Sequence, residues 1–387
     1  MEVLFWILLA LVVYTYLGFA VITAFWIVLR ELLFGKRKLA EKGEFLPEVT
    51  LVIPAWNEAD EIEAKVANSL KLNYPKEKLR IVFITDGSND GTPDVVRKFE
   101  PDVECMHIDD RGGKSAAENR AMKSVTSPYV VFCDANTQLD PEAIQYIVRH
   151  YKDPKVGGVS GEKRVLAADG VENKEGLYWK YESTLKKLDA RLYSIVGAAG
   201  ELVSFRTDLW TDLEKDTILD DFMESLRICA KGYRFAYEPL AIASELPSAN
   251  VKEELKRKVR IAAGGWQSMS RLPQLWRFWK HPRLTFSYVS HRVLRWSITA
   301  FALPVLLVVN LLLFNSGEVF EWLLYGQLAF YLAALLGYFS SSKGVRIPLV
   351  GVFYYFCVMN YAVIAGFFRW AKGGQKAQWE RSKRMKS

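Results

Sequence analysis

The sequence predicts an α/β protein with a mostly parallel sheet flanked by helices, and with transmembrane helices on its N-terminal and C-terminal sides. Three observations predict this. Short, β-branched apolar runs alternate with helix-spaced segments across the middle of the chain. These runs are apolar at nearly every position, as strands covered on both faces must be. The remaining apolar residues concentrate in long runs toward the two ends.

The first element, residues 1–35, reads as a transmembrane anchor. Met1–Leu29 carries a single charge, Glu2, and a helix needs only ~20 apolar residues to cross a bilayer. The basic residues Arg30, Lys36, Arg37, Lys38 and Lys42 follow the run. A cleaved signal would carry them in front and would be about half as long. Basic flanks stay cytoplasmic, so the N-terminus is expected outside and the next domain, residues 45–245, in the cytoplasm.

That domain opens with "VTLVIPAW" (Val49–Trp56) as a strand, then a helix in which Ile62, Val66, Ser69 and Leu70 share one side. "LRIVFITD" (Leu79–Asp86), "VECMHID" (Val103–Asp109) and "YVVFCDA" (Tyr129–Ala135) are further strands, each followed by a helical segment. Strand–helix alternation implies right-handed crossovers and a parallel sheet. Ligands of such sheets bind beyond the carboxyl ends of the strands. There the polar residues collect: Asn57-Glu58 after Pro54, Asp86-Gly87-Ser88, Asp109–Lys114, and Asp134-Ala135-Asn136. Any one of these can be a cap or a turn; four on one rim point to a shared ligand site. Asp134 offers an anionic oxygen and Asn136 an amide oxygen two residues on, a pair suited to Mg²⁺ or Mn²⁺, which fill their other positions with water and phosphate oxygens. Lys114, after two glycines, is a positive charge placed to meet phosphate; the alternative is a solvated lysine opening a helix.

Six motifs in order, "IPAWNE", "TDGSNDGT", "RGGKSAAEN", "FCDANTQLDP", "ILDDFMESLRICAKGYR" and "RKVRIAAGGWQ", resemble those of membrane-embedded family 2 glycosyltransferases of GT-A fold, the group of hyaluronan, cellulose, chitin and poly-N-acetylglucosamine synthases. The resemblance implies that Pro54, Glu58, Asp86, Ser88, Lys114, Asp134 and Arg260 bind the nucleotide of a UDP-sugar. It makes Asp134 and Asn136 the metal pair, with asparagine where the family has a second acid. It makes Asp221 the general base beside Asp220, although acids also suit a helix's first turn and capping explains one of the two. Gly200, Glu201, Arg257 and Gln267 become acceptor-side candidates. Arg257 and Ile261 stand where the family's processive members have the Gln and Trp of QxxRW. Without the Trp the acceptor loses an aromatic platform, and Arg257, Lys258 and Arg260 can also be a solvated basic face.

Residues 250–290 read as amphipathic and interfacial, with Trp276, Phe278 and Trp279 interleaved with Arg277, Lys280 and Arg283. Residues 296–368 hold about three spans, near Ser297–Phe314, Trp322–Phe339 and Ile347–Phe368. One span before the domain and three after it put the tail, 369–387, outside, yet its basic residues argue for inside. The net charge of +7 lies largely beside these segments, where it suits anionic lipid rather than nucleic acid. The four cysteines show no metal-like spacing, and free thiols are expected.

The expected function is inverting transfer of a sugar from a UDP-sugar to a hydroxyl of a growing polysaccharide at the cell membrane, by a multi-pass protein with a cytoplasmic catalytic domain. Two alternatives stand beside it: a single transfer to a membrane lipid acceptor, and a non-catalytic nucleotide-binding membrane protein. Nearly charge-free spans disfavour a transporter.

Overall fold

The computed structural model describes residues 1–375 except Lys38, 167–173, 249–250 and 343–349; for 174–179 and Ser342 it describes the backbone alone. Most of the basic tail, 376–387, lies outside the described residues.

The strands are β1 (Val49–Ala55), β2 (Leu79–Asp86), β3 (Glu104–Ile108), β4 (Tyr129–Phe132), β5 (Gln138–Leu139), β6 (Val156–Val165), β7 (Val203–Arg206) and β8 (Arg234–Glu245). They form one sheet in the order β3-β2-β1-β4-β7-β6-β8-β5. The first four are parallel. Every residue of β1 and β4 is buried, which accounts for their unbroken apolar character. The other half departs from the expected parallel pattern: β7 runs antiparallel to both β4 and β6, β8 is parallel to β6, and β5 is antiparallel to β8. The sheet is therefore mixed. β6 and β7 carry Gly, Ser, Glu, Lys and Arg among their apolar residues, so this half gives no clean strand signal.

The helices, in chain order, are α1 (Glu2–Phe34), α2 (Ala59–Leu70), α3 (Thr92–Arg97), α4 (Lys114–Met122), α5 (Ala143–Val148), α6 (Lys174–Leu192), α7 (Asp220–Ala230), α8 (Val251–Arg271), α9 (Pro282–Trp296), α10 (Ile298–Leu312), α11 (Glu318–Ser341) and α12 (Val350–Ala371). In α2 the predicted stripe holds for Ile62, Val66 and Ser69, which are buried, while Leu70 is exposed. One apolar core lies between the sheet and α7, joined by Leu275, Leu284 and Tyr288; a second lies on the opposite side, under α2 and α5.

Three described helices, α1, α11 and α12, are long and apolar enough to cross a membrane. The run expected to span at Ser297–Phe314 is a 15-residue helix, α10, bent by 52° from α9, and the two together form a fourth, broken candidate. Ser297, with φ −140° and ψ −95°, breaks the helical path between them. The apolar helices are tied together by packing and by a few polar bridges. Phe5 packs with Leu306, Val309, Leu313 and Phe320. Tyr14 bonds Ser290 at 2.7 Å, Thr15 bonds Thr299 at 3.0 Å, and Tyr16 donates to Asn360 at 2.7 Å.

α12 also grips the globular domain. Trp266 of α8 stacks on Trp370, and Gly366 of α12 lies so close to α8 that a Cβ there would sit 2.5 Å from that of Ala262. Only glycine allows this approach, so Gly366→Leu should push α8 and α12 apart. The expected loss is ~1–3 kcal/mol, read as a lower Tm of the detergent-solubilised chain.

Candidate active site

The parallel half of the sheet builds a recess at its carboxyl edge. The ends of β1 and β2 are laced together: Asn57 and Asn89 exchange amide hydrogen bonds at 2.9 and 3.0 Å, the Asn57 N–H donates to Ser88 Oγ at 3.1 Å, and the Glu58 N–H donates to Thr92 Oγ1 at 3.0 Å. Asn57 sits at φ 53°, a conformation that asparagine tolerates. Glu58 is buried at the start of α2. The recess is lined by Pro54, Trp56, Asp86, Arg111, Gly113 and Lys114. Asp86 accepts the Gly113 N–H at 2.6 Å and an Arg120 N–H at 3.2 Å. The Arg111 guanidinium lies 3.4 Å over the Trp56 ring.

The end of β4 is held from beneath. Lys65, fully buried, donates to Cys133 Sγ at 2.9 Å and to the Thr137 carbonyl at 2.5 Å. The Thr137 N–H closes a turn on the Asp134 carbonyl at 3.2 Å. Asp134 thus stands on a braced loop, with Asn136 in the turn itself. This lysine anchor escaped sequence reading because it lies inside an amphipathic helix where lysine is ordinarily solvated.

Lys114 is the centre of the site. Its ammonium lies 3.0 Å from Asp134, 3.1 Å from Asp220 and 3.9 Å from Glu118. These side chains are only 18% (Lys114), 21% (Asp134), 13% (Asp220) and 4% (Glu118) exposed. Gly200 brings its backbone to the same point: a Cβ there would sit 3.3 Å from the Lys114 Nζ and 3.4 Å from the Asp221 carboxylate. Residues from the two halves of the sheet therefore meet in one cleft. The loop before Gly200 needs Gly197, at φ +103°, where a Cβ would fall 2.3 Å from the Phe222 ring.

The charges in this cleft shift one another. Burial works against the charged form of Lys114, yet Asp134, Asp220 and Glu118 hold its pKa well above the lysine range. Burial raises Glu118 well above the carboxylate range, and Asp220 adds to the rise. Asp220 goes the other way: burial opposes its charge, but Lys114 and a hydrogen bond from Glu118 keep it below its usual value. Asp221 is pushed up to about 7, by burial first and then by the charge on Asp220. Asp134 is raised by burial, against the pull of Lys114.

The acceptor-side candidates divide. Arg260 sits near Asp220, Asp221 and Asp134, close enough for their charges to act on it, with burial lowering its pKa. Gln267 gives both ends of its carboxamide to the backbone ahead of α7: its oxygen accepts the Ile218 N–H at 3.0 Å and its nitrogen donates to the Asp216 carbonyl at 2.8 Å. It positions the segment leading into Asp220-Asp221. Glu201 is paired with Lys163 at 2.5 Å, and Lys163 also pairs with Glu245. Although burial opposes it, Lys163 holds the Glu201 carboxyl far below the usual range. Arg257 lies 3.0 Å from Glu254 and 3.6 Å from Glu245. Glu201 and Arg257 thus belong to a buried ion network whose other members sequence reading missed, because its strands were not recognised. Gln267→Leu should loosen the Asp216–Ile218 segment and lower kcat by ~10-fold through misplacement, with the donor KM little changed in a titration of initial rates.

Among the described residues no three His, Cys, Asp or Glu side chains converge on a metal-sized point. Mg²⁺ and Mn²⁺ do not need three, since phosphate and water complete their shells. The donor chemistry fits such an ion: Asp134 offers a carboxylate and Asn136 an amide oxygen on one braced turn.

A parallel half joined to a mixed half, with acids from both facing one cleft, is the arrangement of a GT-A-type fold. Residues 50–210 match the family model described as Glycosyl transferase family 2. A poly-beta-1,6-N-acetyl-D-glucosamine synthase of Staphylococcus aureus (strain MSSA476) is 30% identical over 240 residues, 58% of this chain and 56% of the relative. The synthase of the same name from Staphylococcus epidermidis is 26% identical over 231 residues, with the same 58% and 56% coverage. The match thus spans little more than half the length of these relatives. Among solved structures, the mannosyltransferase PcManGT from Pyrobaculum calidifontis, in complex with GDP-Man and Mn²⁺, aligns over 97% of this chain and 99% of its own with a TM-score of 0.73 and 22% identity. That likeness shows the GT-A fold.

Proposed function

We propose that the chain is an inverting glycosyltransferase. It moves a sugar from a UDP-sugar to a hydroxyl of a growing polysaccharide at the membrane. The carrying observation is the Lys114 ammonium, which bridges Asp134 at 3.0 Å and Asp220 at 3.1 Å, so that donor-side and acceptor-side acids share one cleft. The synthase relatives support the polysaccharide product.

In this reading the recess from Pro54 to Lys114 takes the nucleoside, with Asp86, Glu58 and Ser88 at its rim. Asp221 accepts the proton of the incoming hydroxyl as the oxygen attacks the anomeric carbon. A carboxylate raised to about 7 suits that task, because a base works best with its pKa near the working pH. The bond to the diphosphate breaks on the opposite face, which inverts the anomeric centre. Lys114 and Arg260 place positive charge where the leaving diphosphate gathers negative charge. Asp134 and Asn136 would hold a Mg²⁺ or Mn²⁺ ion, which when bound supplies further charge to that leaving group. Exposed apolar faces on α1, α11 and α12, with exposed Trp276, Phe278 and Trp279 beside Arg277 and Lys280, support a membrane-seated protein whose domain lies at the cytoplasmic surface.

A second reading, single transfer to a membrane lipid, is favoured by one observation: Arg257 and Gln267 are taken up by partners within the protein. The test is to incubate the purified full chain in lipid nanodiscs with a panel of UDP- and GDP-sugars, with Mg²⁺, Mn²⁺ or chelator. Nucleotide diphosphate release and product size are then measured. Divalent-dependent UDP release with a polymeric product is expected. A one-sugar lipid product selects the second reading, and nucleotide binding without turnover of any donor sinks both.

A further inference from the structure

Glu118 has no role in the transfer described above, yet it is the most deeply buried acid of the Lys114 cluster. It sits one helical turn after Lys114 on α4, 3% exposed, with its carboxyl 3.9 Å from the Lys114 ammonium. It is hydrogen-bonded to Asp220 of α7. Two carboxyl groups in such contact, shut away from water, do not both ionise; they share one proton. The groups that face the pair decide who holds it. Lys114 lies 3.1 Å from Asp220 but 3.9 Å from Glu118, and Arg260 of α8 acts on Asp220. Asp221 repels a charge on both groups, on Glu118 and on its chain neighbour Asp220. Asp134, also within range of Asp220, already shares Lys114. Asp134 and Asp221 oppose a charge on Asp220, but the nearer ammonium of Lys114 and the Arg260 guanidinium outweigh them, leaving the negative charge on Asp220 and the proton on Glu118.

We propose that Glu118 is a protonated carboxylic acid that donates its O–H to Asp220, and that it is thereby a positioning residue for the base. The donation keeps Asp220 ionised and turned toward Lys114. Asp220 then cannot take up the proton of the incoming hydroxyl, and that task falls to Asp221 alone. No bond other than the hydrogen bond changes: the proton stays on Glu118 through the turnover, while the acceptor's proton goes to Asp221. This rests on the reading of Asp221 as the base. Burial and the Asp220 charge, which raise Glu118, agree with the geometry.

The experiment has two arms, one of which needs no turnover. Infrared difference spectra of the full chain in nanodiscs, at a pH where Asp221 is ionised, should show a protonated-carboxyl band that disappears in Glu118→Gln. In the second arm, rate–pH profiles are compared for the native chain, Glu118→Gln and Glu118→Leu. Gln keeps a neutral donor to Asp220, so its acid limb should stay where the native one lies. Leu removes the donor, so Asp220 competes for the last proton of the pair and the limb should shift to higher pH. Absence of the band, or a Gln variant as displaced as the Leu variant, overturns the proposal. So does a Leu variant with a native profile. If instead the band is present while Asp221→Asn retains full transfer, the proton on Glu118 stands and the assignment of the base falls.

Discussion

Replacing Asp221 by asparagine is expected to lower kcat ~10²–10⁴-fold, the contribution of a positioned general base, while the donor KM changes little. Asparagine keeps the size and the first-turn position in α7 but cannot accept a proton. The side chain stands beside the Gly200 backbone and is not part of the lining of the recess from Pro54 to Lys114, so donor contacts should survive. The same assignment sets the pH profile. Asp221 is raised to about 7 by burial and by the charge on Asp220, and a base acts only when unprotonated. The rate of the native chain should therefore fall as pH drops below about 7 and level off above it. Asp220→Asn removes the second cause and leaves the first. The acid limb should then move to lower pH without returning to the ordinary aspartate range. Initial rates between pH 5.5 and 8.5 in a constant-ionic-strength buffer check this (~3 units of span are needed to see both arms). An acid limb that ignores Asp220→Asn would sink the proposed pairing of the two aspartates.

The parallel half of the sheet was legible because β1, β4 and most of β2 are covered on both faces, with only the edge strand β3 partly exposed. Leu79–Asp86 is a strand residue for residue as expected, and the polar residues do gather at the carboxyl ends. Burial on two faces leaves an apolar run with nothing else to be. The second half was opaque for the opposite reason. β6 carries glycines and charged residues that face partners from distant segments, such as Lys163 against Glu201 and Glu245. Nothing local to "GGVSGEKRV" announces a strand. The site shows the same division. Asp134, Lys114, Asp220 and Asp221 were readable as acids and a cation at strand and helix starts, and all lie in one cleft. Glu118 was overlooked although it stands four residues after Lys114, because an i, i+4 pair on a helix ordinarily means a surface salt bridge. Lys65 owes its role to contacts 68 and 72 residues away in the chain, with Cys133 and Thr137, and Gln267 to one 49 residues away, with Ile218, and no spacing encodes those. The bend at Ser297 was also invisible, since the apolar run that starts there read as a span of its own.

Lys114→Met should cost both activity and stability, and the stability loss should depend on pH. The ammonium is the only cation within 4 Å of Asp134 and Asp220 among the described residues. Removing one partner of a buried pair leaves the other charge uncompensated, at ~3–5 kcal/mol; water still reaches these side chains, so the low end, ~3 kcal/mol, is expected. Lys114 is held well above its usual pKa by its acids, so its own contribution is fully present at neutral pH and is lost only as pH rises through that high value. In the methionine variant the acids lack their counter-charge: Asp134, Glu118 and Asp221 climb further above their values in the unfolded chain, and Asp220 loses the pull that holds it below. The folded state then binds more protons than the unfolded one, so stability falls as pH rises through the neutral range. The Tm gap between native chain and variant should be wider at pH 8 than at pH 5, ~3 pH units apart. Turnover should drop ~10²–10³-fold, as for loss of one group that stabilises charge in the transition state. Scanning calorimetry of the two proteins at both pH values decides the matter. A gap of equal size at the two would mean that Lys114 stabilises by packing its stem rather than by its charge, and the electrostatic account of the cleft would fail with it.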